Sequence, residues 1–148
     1  MGEAEQPIRV AHPRDLELAR GLLREYQESL ALDLSFQGFE AEVADPFGLY
    51  ARVLLAPDGC VALRRIDPLS CEMKRLYVRP AARGSGLGRR LAEALIAEAR
   101  AGGYGRMLLD TLPSMTAAQT LYRSLGFHPT GPYRYNPVPG TSFLELDL

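Results

Sequence analysis

Residues that build metal centres and disulfide frameworks are scarce in this sequence. The two cysteines, Cys60 and Cys71, form no CxxC pair, and the two histidines, His12 and His128, lie far apart in the chain. We therefore expect neither a zinc site nor a disulfide, and no metal cofactor. Reduced thiols are typical of a cytosolic protein.

The chain also lacks an excess of charge of either sign and any long apolar run. Its 17 lysines and arginines nearly balance its 18 aspartates and glutamates, which leaves a net charge of −1. This balance provides no global field for nucleic acid or an anionic membrane. The N-terminal segment opens with acidic residues and is not typical of a secretory signal, and no run approaches the length of a membrane span. We expect a soluble, cytoplasmic protein with a single domain over residues 1–148.

The pattern of apolar residues in the first half predicts strands on either side of a helical region. Apolar residues recur every three or four positions after Pro13, as in an amphipathic helix. Asp58 and Gly59 separate two apolar runs, as in a β-hairpin. The expected elements are a strand at Ile8–Ala11, a helix from Pro13 to about Ala31, a short helix around Phe39–Ala44 ended by Pro46, hairpin strands Arg52–Ala56 and Cys60–Arg64, and a third strand that ends at Val78.

The second half predicts two further helices and three strands. Leucines every fourth residue from Leu87 predict a helix that stops at Gly102, and Thr116 with Gln119 forms the pattern of a capping box. The expected elements are this first helix, a buried strand at Arg106–Thr111, a capped helix at Ala117–Ser124, and two strands within residues 132–148 joined by a proline-rich loop. The order of elements predicts an α/β fold with a mixed sheet.

One short segment, RPAARGSGLGRRL at residues 79–91, places three glycines at alternate positions among four arginines. It lies between a predicted strand and a predicted helix, where backbone N–H groups favour an anion. The dinucleotide fingerprint requires glycine at position 89 and the Walker loop requires Lys-Ser/Thr, and both patterns fail here. The pattern that remains is R-x-x-G-x-G, from Arg83 to Gly88. The alternative is a glycine-rich turn with solvated arginines.

Two motifs together resemble the GNAT superfamily of N-acetyltransferases. EMKRLYVRPAARGSGLGRRLAEALIAEAR, which starts at Glu72, contains the strand, the loop and the helix, and LYRSLGF at Leu121–Phe127 follows in order and spacing. The resemblance implies a mixed, mostly antiparallel sheet flanked by helices. It also implies that the two central strands, here Lys74–Val78 and Arg106–Asp110, splay apart.

The resemblance implies acetyl-CoA as the acyl donor. Its pyrophosphate would bind the glycine-rich loop, where the Arg83 guanidinium can add charge-assisted hydrogen bonds. Its pantetheine arm would lie along the preceding strand, with a backbone N–H, often at a bulge, donating to the acetyl carbonyl. The cofactor-binding residues expected on this basis are Leu76, Tyr77, Val78, Arg83, Gly84, Ser85, Gly86, Leu87, Gly88 and Arg89.

The same resemblance implies catalytic roles for two residues. Tyr122 aligns with the tyrosine that serves as general acid toward the departing thiolate. Glu72 opens the strand that faces the substrate and is expected to be the general base, directly or through water. Asp110 and water alone are the alternatives to Glu72 as base, and the non-catalytic interpretation of Glu72 is an exposed carboxylate paired with Lys74.

One position departs from the family pattern. The asparagine that often precedes the helix tyrosine by seven residues is replaced by Met115, so Ser114 or Thr116 would have to contact the pantetheine instead. Cys60 and Cys71 lie at strand edges without a neighbouring base, which favours direct transfer over a covalent intermediate.

The resemblance leaves the acceptor open, as a primary amine of a small molecule or a peptide. About half of the candidate pocket residues are expected to serve only in packing. A non-catalytic acyl-CoA-binding sensor or partner module is the alternative function, and a nucleotide-binding domain unrelated to CoA is another. A homodimer through the edge of the last strands is implied by the resemblance alone. The pocket candidates are Tyr26, Phe36, Phe39, Tyr133, Tyr135 and Asn136.

Overall fold

The computed structural model describes residues 5–30 and 38–148, and a seven-stranded sheet organises them in the order β1-β2-β3-β4-β5-β7-β6. Neighbouring strands are antiparallel except for β4 and β5, which are parallel. The predicted mixed, mostly antiparallel sheet is therefore confirmed. The strands are β1 (Arg9–Val10), β2 (Arg52–Ala56), β3 (Gly59–Arg65), β4 (Ser70–Val78), β5 (Arg106–Thr111), β6 (His128–Pro129) and β7 (Ser142–Asp147).

Helices cover both faces of this sheet. Alternate residues of β3 point to opposite faces, because side chains along a strand alternate. Val61 packs in the cluster that contains α4, and Ala62 packs in the cluster that contains α1. The helices are a 3-10 turn (Pro13–Asp15), α1 (Leu16–Leu30), α2 (Phe39–Ala44), α3 (Pro46–Leu49), a second 3-10 turn (Pro80–Ala82), α4 (Leu87–Ala101) and α5 (Thr116–Ser124).

The two central strands separate soon after they begin. β4 pairs with β5 over only three residues, where the segment Ser70–Glu72 lies beside the segment Arg106–Leu108. Beyond Glu72 the edge of β4 that faces β5 has no strand partner among the described residues, while β5 continues to pair with β7. The predicted splay is confirmed, although it begins after Leu108 and not at Arg106. It opens a gap between β4 and β5 on the side toward Val78.

β4 also contains a bulge within this separated stretch. Its register against β3 shifts by one residue, because Arg75 and Leu76 together face the single residue Val61. Among the described residues, Arg75 is the one residue other than glycine with a positive φ, at 60°. A bulge bends its strand and redirects the local N–H groups.

Two predicted details were wrong. α5 begins at Thr116 itself, no side chain caps it, and Gln119 donates to the Leu112 carbonyl at 2.7 Å, so the capping box does not form. The first strand of the tail lies at His128–Pro129 and not within residues 132–135, because Pro132 lacks an N–H and the side chain of Tyr133 turns toward β4.

The predicted end of the short helix at Pro46 is correct, and Pro46 has a second role. α2 ends before Pro46 as predicted, but Pro46 also opens the unpredicted helix α3, where Asp45 accepts a hydrogen bond from the N–H of Gly48. The predicted end of the first helix at Ala31 lies outside the described residues. None of the helices in the described parts of the chain is long and apolar enough to cross a membrane.

Candidate active site

The glycines of the glycine-rich loop lie in two different environments. Gly84 and Gly86 have φ values of 82° and 85°, and a Cβ atom at either position would meet nothing within 4 Å. The backbone conformation therefore requires glycine there. Gly88 is helical, and its Cβ atom would lie 3.7 Å from Cγ2 of Val78, at the wall of an open groove. The expected need for free φ thus applies to two of the three glycines.

Side chains of the loop brace it against its neighbours. The Nε atom of Arg83 donates to the Val78 carbonyl at 3.1 Å, and the Ser85 hydroxyl donates to the Ala82 carbonyl at 2.5 Å. Arg89 donates to the Ser124 hydroxyl at 2.6 Å. The first N–H groups of α4 have no acceptor within the helix, since the first helical bond runs from Arg90 to Gly86. Free N–H groups at the start of a helix are suited to binding an anion.

An open groove of about 570 Å³ leads away from this loop between β4 and α5. Leu76, Tyr77 and Val78 line one wall, so these predicted residues lie together with Arg83 and Gly88. The opposite wall contains the residue that replaces the family asparagine, together with its two neighbours in the chain. They are Ser114, Met115 and Thr116.

A small cavity of about 20 Å³ lies where β4 and β5 separate, and it shares Tyr26, Leu76 and Met115 with the groove. Tyr122 lines this cavity from α5, and its ring packs edge-on against Phe127 with 5.8 Å between centroids. Burial raises the pKa of Tyr122 above its ordinary value of 10.0. The phenol is therefore protonated at neutral pH and can donate a proton.

Glu72 is fully buried, with 0% of its surface exposed. It accepts hydrogen bonds from Nε of Arg64 at 2.7 Å, from Nη1 of Arg134 at 3.1 Å, and from the Tyr133 hydroxyl. Burial alone would raise the pKa of Glu72, but the charge of Lys74 and these hydrogen bonds leave that pKa below its usual value. The alternative interpretation of Glu72 as an exposed carboxylate was wrong, and the role of Glu72 as base stays a prediction.

Lys74 and Asp110 line the cavity together with Tyr122. Lys74 is 7% exposed, and burial together with the charge of Arg75 lowers its pKa to about 8. Asp110 is half-buried and accepts a hydrogen bond from Nδ2 of Asn136 at 3.0 Å.

Sequence reasoning gave no site role to four cationic residues that line this cavity or contact Glu72. The available signal was the presence of three charged residues, Glu72, Lys74 and Arg75, within four positions of a largely buried strand, since charged residues are rarely buried unless paired. The register of β3 against β4 then places Arg64 opposite Glu72. The missed residues are Arg64, Lys74, Arg75 and Arg134.

The predicted acceptor residues fall into different environments. Tyr26 lines both the groove and the cavity, and Tyr133 and Asn136 contact Glu72 and Asp110. Phe39 is a core residue at 1% exposure, whereas Tyr135 is 74% exposed. Phe36 lies outside the described residues.

Comparisons with known proteins give a consistent result. The model of the acetyltransferase (GNAT) family matches residues 17–127. An uncharacterized N-acetyltransferase of Schizosaccharomyces pombe is 40% identical over 147 residues, which cover 92% of this chain and 90% of that protein. The N-alpha-acetyltransferase RimI of Mycobacterium tuberculosis is 35% identical over 108 residues, which cover 69% of this chain and 66% of that protein.

Solved structures share the fold. An acetyltransferase from Streptococcus agalactiae superimposes with a TM-score of 0.79 at 22% identity, over 97% of this chain and 98% of that chain. A GNAT family acetyltransferase from Elizabethkingia anophelis, solved with acetyl-CoA bound, has a TM-score of 0.67 at 21% identity, over 99% of this chain and 100% of that chain. At these identities the likeness shows the fold alone.

Proposed function

Because the chain belongs to the acetyltransferase (GNAT) family, we propose that it transfers an acetyl group directly from acetyl-CoA to a primary amine of a small molecule or a peptide. The observation that carries this proposal is the continuity of three features. The anion site at the start of α4, the groove along the unpaired edge of β4, and the cavity that contains Tyr122 follow one another.

Donor binding uses the loop and the separated strand. The pyrophosphate accepts from the N–H groups of Gly84 to Arg89, with Arg83 as the nearest cation on the groove wall. The pantetheine arm extends along Leu76 to Val78, where β4 has no partner from β5. Ser114 and Thr116 are the polar side chains on the facing wall.

The transfer needs an N–H donor for the carbonyl and a proton for the thiolate. A backbone N–H at the bulge of β4 donates to the acetyl carbonyl and stabilises the oxyanion of the tetrahedral intermediate. The neutral amine forms the new C–N bond and the thioester C–S bond breaks. Tyr122, which stays protonated at neutral pH, gives its proton to the leaving thiolate.

The proton of the amine goes to a carboxylate or to water. Asp110 lines the cavity with Tyr122, which favours it as the acceptor of that proton, directly or through water. Glu72 also faces this side of the sheet, but three donors already occupy its oxygens. We therefore assign to Glu72 the positioning of Arg64, Tyr133 and Arg134 in place of the predicted role of base.

A covalent acyl-cysteine is disfavoured by the state of both thiols. Cys60 and Cys71 are buried, and burial raises the pKa of each to about 12. A thiol is nucleophilic as its thiolate, which these two cysteines scarcely form at neutral pH. This supports attack of the amine on acetyl-CoA itself.

The proposal is tested by ligand-dependent stability followed by turnover. Acetyl-CoA, CoA, ATP and NAD are added separately, and a ligand at about 100 times its Kd adds roughly 2.7 kcal/mol of stability. A shift with acetyl-CoA and CoA alone, followed by thiol release with a panel of amines and peptides, is the expected result. A shift with ATP or NAD alone contradicts the proposal. Binding of CoA without release of thiol by any amine indicates a sensor.

A further inference from the structure

The bulge of β4 depends on one strained residue. Arg75 has a φ of 60°, in the left-handed region that residues other than glycine rarely adopt. It lies at the register shift, directly before Leu76, which lines both the groove and the cavity. Strained backbone of this kind persists only where the surrounding structure holds it, and it concentrates at functional sites.

The side chain of Arg75 is held on every side. Its Nε and Nη2 atoms donate to the two carboxylate oxygens of Glu42 at 2.8 and 3.0 Å. Its guanidinium carbon lies 5.5 Å from the ring centroid of Tyr26 and 5.3 Å from that of Phe39. Both charged side chains are 4% exposed. Burial alone would lower the pKa of Arg75, but the hydrogen bonds and charge of Glu42 raise it above its ordinary value.

We propose that Glu42 and Arg75 are positioning residues, and that their ion pair locks the bulge of β4 in the conformation that presents its N–H to the acetyl carbonyl. This inference rests on the proposed function, because it takes acetyl-CoA as the ligand of the groove. Arg75 lines the cavity, but its guanidinium is bound to Glu42. The ion pair acts through the backbone of Arg75, and it joins α2 to the reaction centre.

Stability alone gives little reason for this ion pair. Replacing a buried ion pair by apolar residues is often neutral or stabilising, because desolvation offsets the attraction. Glycine at position 75 would also adopt the positive φ without strain. The guanidinium of Arg75 is instead held by two hydrogen bonds to Glu42 and lies between two aromatic rings. This arrangement fixes the direction in which β4 continues after the bulge.

The test compares two double variants that differ only in their tolerance of a positive φ. Glu42→Leu/Arg75→Gly and Glu42→Leu/Arg75→Ala both remove the buried charges, but only glycine adopts the left-handed conformation readily. The probe is acetyl-CoA isotope-labelled at the thioester carbonyl, observed by difference infrared spectroscopy. In the wild type we expect the carbonyl band of the bound ligand at lower frequency than in solution, because the bulge N–H donates to it.

The glycine variant should keep part of this frequency shift, and the alanine variant should lose it. Both should bind CoA, which lacks the acetyl carbonyl, with the wild-type affinity. Equal carbonyl bands in the two variants, or no shift in the wild type, overturn the inference while leaving the proposed function intact. Failure of the wild type to bind acetyl-CoA overturns both.

Two further variants keep the result interpretable if a double variant does not fold. Glu42→Gln preserves the side-chain volume and should weaken the carbonyl shift in the folded fraction. Asp15→Asn is the control, because Asp15 also pairs with an arginine through both carboxylate oxygens but lies outside the cavity. Nη1 and Nη2 of Arg9 donate to these oxygens at 2.6 and 2.7 Å. Asp15→Asn should lower stability without moving the band. A purely structural ion pair predicts that Glu42→Gln behaves as Asp15→Asn does.

Discussion

The Tyr133 hydroxyl donates a hydrogen bond to the carboxylate of Glu72, from a loop that lies 61 residues further along the chain. Arg134, the next residue, donates to the same carboxylate at 3.1 Å. The loop between β6 and β7 is therefore fastened to the central strand β4 through one buried charge.

We expect Glu72→Gln to lower the free energy of unfolding by about 2 kcal/mol, because Arg64 and Arg134 lose their charged partner. Denaturant unfolding measures this directly. The folded-state pKa of Glu72 is lowered, so its stabilisation is present above the ordinary carboxyl pKa and is lost as the pH falls through the folded-state value. The difference between variant and wild type should accordingly shrink from pH 7 toward pH 3. A difference that is independent of pH would contradict the ionic origin.

Tyr122→Phe should lower kcat by about 10²-fold while leaving the affinity for CoA unchanged. In the proposed mechanism the phenol, whose pKa is raised, is the proton donor, and its ring packing against Phe127 should survive the substitution. Steady-state kinetics with an amine identified by thiol release gives kcat, and calorimetry gives the Kd of CoA. Unchanged kcat would remove Tyr122 from the proton transfer.

Asp110→Asn and Glu72→Gln distinguish the two carboxylates. If Asp110 accepts the proton of the amine, Asp110→Asn should lower kcat/KM by about 10²-fold. Glu72→Gln should leave kcat/KM close to the wild-type value and act mainly on stability. The opposite pattern would restore Glu72 as the base.

The parts of this molecule that follow from local sequence were predictable, and the parts that depend on distant contacts were not. The leucines of α4 and the glycines before it define a helix and its anion site within one short segment. The burial of Glu72 depends on Tyr133 and Arg134, which no local pattern connects to β4. The bulge at Arg75 lies where β4 shifts its register against β3, and the side chain of Arg75 is bound to Glu42 in α2, 33 residues earlier in the chain.

Two glycines of the loop should respond to alanine in opposite ways. Gly86→Ala should cost about 1–2 kcal/mol of stability, because its φ of 85° is strained for alanine. Gly88→Ala should raise the free energy of unfolding by at most about 1 kcal/mol, because Gly88 is helical. The same substitution should weaken CoA binding, because the added methyl group narrows the groove. Gly21→Ala is the matched control in α1, where nothing lies within 4 Å of the new Cβ, and it should stabilise the fold without changing CoA affinity. Equal CoA affinity for Gly88→Ala and Gly21→Ala would exclude Gly88 from the binding surface.

Lys74 is the only lysine in the chain, so its titration can be observed without overlap. Isotopic labelling of the lysine ε-carbon should give a single side-chain NMR signal that titrates with a midpoint near the pKa of about 8. Burial and the charge of Arg75 disfavour the ammonium form, and both effects disappear in the unfolded chain. A midpoint near 10.5 would show that Lys74 is hydrated and does not line a buried cavity.

The same shift predicts how stability depends on pH. Between pH 8 and pH 10.5 the unfolded chain holds the lysine proton more tightly than the folded protein does, so the contribution of Lys74 to stability rises with pH. The integrated effect is about 3 kcal/mol, at about 1.4 kcal/mol for each pKa unit. Lys74→Met carries no proton in either state, so its stability relative to the wild type should fall by this amount as the pH rises through that range. The control is Arg52→Met, which removes an exposed cation at the start of β2 and should show no such slope. A difference between Lys74→Met and the wild type that does not change with pH would contradict the lowered pKa of Lys74.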